Sequence, residues 1–218
     1  AWSSIITGKN PGKHGVFDFM VRESDGYGLL PINSTFRQGN EVWDIMVGHG
    51  KRVGIINVPF TYPPKKVESF MVSGMMTPRE ARDFAYPPTL MKELEGVVGK
   101  YEVHLSEGAL EPFRGGFEDE FLERIYKDTD ALAEATLHLM DRYEWNFLMV
   151  VFMGTDMIQH AFWNHMDSSH PLHDSEGAKK YGNAILQYYE HIDMVLGKMM
   201  EKAGEDVTTI IVSDHGAG

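Results

Sequence analysis

The chain has no cysteine among its 218 residues. That absence excludes disulfides, thiolate nucleophiles and Cys-ligated zinc, and it leaves histidines and carboxylates to build any metal site. Basic residues are also scarce: 20 Lys and Arg stand against 32 Asp and Glu, for a net charge of −12. A nucleic-acid-binding surface needs a basic patch to attract phosphates, so none is expected, whereas a small metal-bound ligand remains compatible. Nor is there a run of about 18 apolar residues, the length a helix needs to cross a bilayer. Nothing at the start resembles a signal peptide, which makes the cytoplasm the expected compartment. The chain opens without an initiator Met and in mid-motif, and its native N-terminus is expected upstream.

What is present is apolar content of 43%, enough for a substantial core, in a length that fits one domain or most of a larger one. Three short stretches rich in β-branched or aromatic residues read as buried strands: Arg52 to Val58, Trp145 to Met153 and Val207 to Val212. Between them lie helix-length patterns. Phe117 to Tyr143 places Leu122, Ile125, Ala131, Ala135 and Leu139 at spacings that fit one or two amphipathic helices, and Lys179 to Ala203 does the same with Ile185, Tyr188, Ile192, Val195 and Met199. Continuous apolar strands alternating with helices predict an α/β fold, with a mostly parallel sheet flanked by helices. The three strands are expected to be parallel neighbours or near-neighbours. Residues 61–114 are richer in Pro and Gly and read as a cap-like insertion over one edge of the sheet.

The second predicted strand runs into GTDMIQHAFW, which sets Asp156 and His160 four residues apart just past a strand end. On a helix these positions share a face, and a carboxylate with an imidazole suits Zn²⁺. An N-capping Asp followed by a surface His would give the same letters. The third strand ends in SDHG, where Asp214 and His215 can share an ion only if the chain turns, as Gly216 permits. Two Asp/His pairs at the ends of core strands outweigh chance, because ligands of open parallel sheets collect beyond the strand C-termini. The histidines that follow the first pair, His165, His170 and His173, read as solvated loop residues. GKNPGK near the start is not a phosphate-binding loop, because three residues rather than four separate Gly8 from Gly12. AWSSIITG reads instead as a helix and NPGKHG as its turn-rich exit, with Lys13 and His14 as turn residues.

AWSSIITGKNPGKHGVFDF, then GKRVGIINVPFTYPP, then GTDMIQHAFW, then SDHG together resemble the type I phosphodiesterase/nucleotide pyrophosphatase branch of the alkaline phosphatase superfamily. The resemblance covers nearly all of residues 1–218 in the family's order, as one alkaline phosphatase-like domain truncated at both ends. It implies hydrolysis of a small phosphoester with two divalent ions, usually zinc with manganese as the alternative, and a transiently phosphorylated Thr or Ser. It also implies that Asp156 and His160 bind one ion, that Asp214 and His215 bind the other, and that the nucleophile lies about three residues before Ala1. Ser3, Ser4 and Thr7 are then helix residues, no catalytic nucleophile lies within the chain, and these residues alone are expected to be inactive. Phe19 stands near the place where nucleotide pyrophosphatases carry a phosphate-holding Asn. A phosphomutase of the same superfamily and a noncatalytic domain that keeps the fold are the alternatives.

Overall fold

The computed structural model describes residues 1–23, 25–103 and 116–216. They divide into two compact units. The first takes in the described residues up to 103, residues 138–151 and residues 213–215; the second takes in residues 116–137 and 152–212 with residue 216.

The first unit is built on a four-stranded sheet in which β3 (Val53–Val58) is flanked by β4 (Phe70–Ser73) and β6 (Phe147–Val150), with β5 (Ala85–Tyr86) beyond β4. All six residues of β3 are buried, as expected of a central strand that reads as an unbroken apolar run. It pairs parallel with β6, Val53 opposite Phe147 through Ile56 opposite Val150, so the first two predicted strands are neighbours as expected. Their alignment is close: a Cβ on Gly54 would stand 2.4 Å from the Phe70 ring and 2.9 Å from Leu148. The register of β3 against β4 shifts between Ile56 and Val58. At that bulge Asn57 adopts a φ of 58°, and its side-chain amide donates to the Val151 carbonyl at 2.8 Å. Asn tolerates the left-handed region better than most residues, and here it ties the carboxyl ends of β3 and β6 together.

Two expectations need correction. The Pro-rich stretch read as a cap supplies β4, fully buried and parallel to β3, as well as the antiparallel β5 and the helix α4 (Leu90–Val98). The cap reading therefore does not hold for Phe70–Ser73; residues 104–114 of that stretch lie outside the described residues. Three apolar residues and a serine between prolines and glycines are enough for a sheet position when both neighbouring strands supply hydrogen bonds. The third predicted strand, Val207–Val212, joins no ladder among the described residues, and Ile210 and Ile211 are 78% and 69% exposed. An apolar run becomes a strand only where partner backbone meets its N–H and C=O groups, and composition does not report that.

The N-terminal segment folds as expected: α1 (Trp2–Thr7) ends at Gly8 with a φ of 63°, and α2 (Pro11–His14) begins on Pro11. Proline is pre-set for a first helical position and glycine for a left-handed cap. Trp2 packs against a cluster of Val16, Ile32 and Phe60, so α1 starts beside the residues that follow the carboxyl end of β3. A two-stranded hairpin, β1 (Met20–Arg22) with β2 (Leu29–Pro31), and the helix α3 (Val42–Gly48) complete the first unit's opening stretch.

The second unit is helical. Helix α5 (Glu118–Arg142) is one continuous helix of 25 residues whose last turn lies in the first unit, and α6 (Gly154–Met166), α7 (Ser175–Tyr181) and α8 (Ala184–Ala203) follow. Phe121 and Ile125 of α5, Ile158 and Phe162 of α6, and Ile185, Tyr188 and Ile192 of α8 form its core. The helical pattern from Lys179 to Ala203 is the end of α7 followed by α8, separated at Gly182 and Asn183.

Candidate functional site

Val151 follows the carboxyl end of β6, and α6 begins three residues later at Gly154. The buried residues of α6 are Gly154, Ile158, Phe162 and His165, a stripe at the i, i+4 spacing that faces the core. Asp156 and His160 fall on the opposite side of the helix by the same periodicity. Their side chains are 34% and 61% exposed, and the Asp156 carboxylate lies 3.5 Å from Nε2 of His160. Two zinc bonds of about 2.0–2.1 Å at a tetrahedral angle would put oxygen and nitrogen donors about 3.4 Å apart, so this pair fits two of the four positions around one ion. Asp156 also stands in the first turn, where the helix dipole favours a carboxylate.

The second pair is adjacent in sequence. The carboxylate of Asp214 is 3.7 Å from Nε2 of His215, with side chains 19% and 57% exposed, so the chain does turn enough at SDHG to bring them onto one side. The spacing again suits two donors to one ion. Among the described residues Val207–Val212 pairs with no strand, so the pair does not follow one there, and that part of the expectation is corrected. Among the described residues no cluster holds three or more candidate metal ligands, so each pair supplies two.

Nucleophile candidates in α1 can be tested by tautomer. Ser4 Oγ is 3.0 Å from Nε2 of His14, a spacing that invites a hydroxyl–base reading. The Val16 amide, however, donates to Nδ1 of His14 at 3.1 Å. With Nδ1 occupied as an acceptor, the proton of the neutral ring sits on Nε2, and His14 donates to Ser4 rather than taking its proton. The pair therefore ties α1 to α2, and His14, buried at the end of α2, is structural rather than catalytic. Burial first and the nearby Arg37 second hold the His14 pKa below its ordinary 6.5. The unfolded chain thus takes up this proton before the folded one. The contribution is complete above pH 6.5 and is lost as pH falls from there toward the depressed folded value. Urea midpoints measured across that window should decline toward acid in the wild type and less steeply in a His14→Gln variant; equal slopes would remove His14 from the acid limb.

The three histidines after the first pair do not behave alike. His165 belongs to α6 and is buried, against Phe162 and Tyr181, with Nδ1 3.7 Å from the Asp174 carboxylate. Sequence reasoning missed its burial, although its i+3 spacing from Phe162 was a usable signal. His170 accepts the Leu172 amide at 3.1 Å and His173 meets the Asn164 carbonyl at 2.8 Å, so both are half-buried members of a hydrogen-bonded loop rather than solvated. Phe19, 49% exposed, lies against the ring of Phe60 at 5.4 Å between centroids, an apolar group where the resemblance places a phosphate-holding Asn.

No helix among the described residues is long and apolar enough to cross a membrane. No curated protein and no solved structure matches the chain. The model of one family, type I phosphodiesterase / nucleotide pyrophosphatase, matches residues 1–218. With its motifs in order and its mixed α/β architecture around a mostly parallel sheet, the chain belongs to that family.

Proposed function

We propose that this chain belongs to a metal-dependent phosphodiesterase that acts on a small phosphoester, with Asp156 and His160 holding one divalent ion and Asp214 and His215 another. Family membership supports a phosphoesterase function. The observation that carries the finer reading is the Asp156–His160 pair, a carboxylate and an imidazole 3.5 Å apart on the side of α6 away from its core face. Such ions, when bound, offset the negative charge that develops on phosphoryl oxygens and lower the pKa of an attacking oxygen. The protein's own part is to hold ligands of the right kind on rigid elements. Helix α6 carries the first pair on one rigid element. Zinc is the expected ion, since both pairs combine nitrogen and oxygen donors, with manganese as the alternative.

The test is product analysis on the full-length protein after chelation and re-addition of zinc or manganese, with a chromogenic phosphodiester as substrate. Metal-restored release of a monoester and an alcohol supports the reading. Formation of a phosphoryl isomer without release would replace it with a phosphomutase, and no turnover under any metal would leave the noncatalytic domain.

A further inference from the structure

The first turn of α6 has a seat. A Cβ placed on Gly154 would come within 1.8 Å of Tyr188 Oη and 2.5 Å of Cζ, so the Tyr188 hydroxyl lies directly against the helix backbone two residues before Asp156. Tyr188 is fully buried on α8 and its orientation is fixed at its tip. The Thr129 hydroxyl, on α5, donates to the Ile125 carbonyl at 2.7 Å. It therefore accepts from Tyr188 Oη, 2.6 Å away. The sides of the ring are held too: Tyr126 meets it edge-on at 5.4 Å, and the Tyr126 ring in turn contacts His191, which pairs with Asp130 at 2.8 Å. A buried aromatic ring with its polar tip satisfied is a stiff support, because it can neither rotate into solvent nor surrender the hydrogen bond without leaving buried polar atoms unpaired.

We propose that Tyr188, oriented by Thr129, is a positioning residue for the Asp156–His160 half-site: it sets the depth and tilt of α6, and with them where the two ligands point. The inference rests on the metal-binding reading above. Tyr188 and Thr129 touch neither ligand; they act through the backbone at Gly154, on the core side of the helix that carries Asp156 and His160 on its other side. Groups hydrogen-bonded directly to metal ligands change metal affinity by about 10–100-fold when removed, and a support acting one step further back, through the helix backbone, belongs at the lower end of that range.

The measurement is zinc affinity of the full-length protein by competition with a chromogenic chelator, alongside urea unfolding of the metal-free protein. Thr129→Val keeps the shape of the side chain and removes the acceptor, Tyr188→Phe removes the donor, and Thr129→Ser keeps the hydroxyl. Thr129→Val and Tyr188→Phe should each weaken one zinc site about tenfold and leave the other unchanged. The double variant should be no weaker than either single variant, and Thr129→Ser should match the wild type. If the two variants lower the urea midpoint but bind both ions like the wild type, the pair is only structural and the proposal is overturned while the metal reading stands. If the wild type itself binds no zinc, the metal reading fails and the proposal falls with it.

Discussion

Replacing Asp156 by Ala in the full-length protein is expected to lower metal-dependent hydrolysis of a chromogenic phosphodiester by about a thousandfold, with the circular dichroism spectrum unchanged. On the proposed two-ion reading that loss corresponds to about 4 kcal/mol of transition-state stabilisation. The stability estimate is far smaller. Asp156 is on the outer face of α6, 34% exposed, and leaves no hole in the Ile158–Phe162–Tyr188 core when truncated. What it loses as a first-turn acid is its interaction with the helix dipole, worth about 0.3–1 kcal/mol. His215→Ala should behave alike at the second pair, since its side chain is 57% exposed. His170→Ala is the control, because its ring accepts a local loop amide and belongs to neither pair. Metal titration of the rates decides the matter: a folded Asp156→Ala protein as active as wild type, with chelated wild type equally active, would end the phosphohydrolase reading.

The sheet's centre was legible because β3 is buried along its whole length and β6 beside it, though only half-buried, is an unbroken apolar run, a strand pattern that survives without alternation. Helices α5 and α8 were legible from their 3.6-residue period. Strand β4 was not, because four residues between turn-forming neighbours carry too little pattern, and its burial comes from β3 alongside. Val207–Val212 failed in the other direction: the pattern is strong, yet a ladder depends on a partner that no local window contains. The Asp/His pairs were visible because each is local, at i, i+4 or i, i+1. The groups that hold the first pair's helix in place were invisible for the opposite reason. Thr129 and Tyr188 are 59 residues apart, and neither looks unusual within its own helix. Likewise, His14 read as a turn residue, and only its Val16 and Ser4 contacts show that it locks two helices together.

Glu41→Ala is expected to destabilise the first unit by about 3–5 kcal/mol, as much as truncating a large core side chain, read as a lower urea midpoint. Glu41 is 2% exposed and Arg37 8%. The Arg37 guanidinium donates to Glu41 through Nε, at 2.7 Å, and Nη2, and it also donates to the Phe60 carbonyl at 3.0 Å. Lys65 approaches the second Glu41 oxygen at 2.8 Å and Asp44 at 2.8 Å. Removing the carboxylate leaves Arg37 charged and buried with only a neutral carbonyl partner, and the cost of that uncompensated ion exceeds the modest net worth of the intact pair. Lys65 suffers less, because its side chain is 40% exposed and keeps Asp44. The asymmetry gives a sharper test than the single variant: Glu41→Leu combined with Arg37→Met removes both charges and should be less destabilising than Glu41→Ala, despite changing more atoms. A double variant no better than the single would mean that the loss comes from packing rather than from the stranded charge.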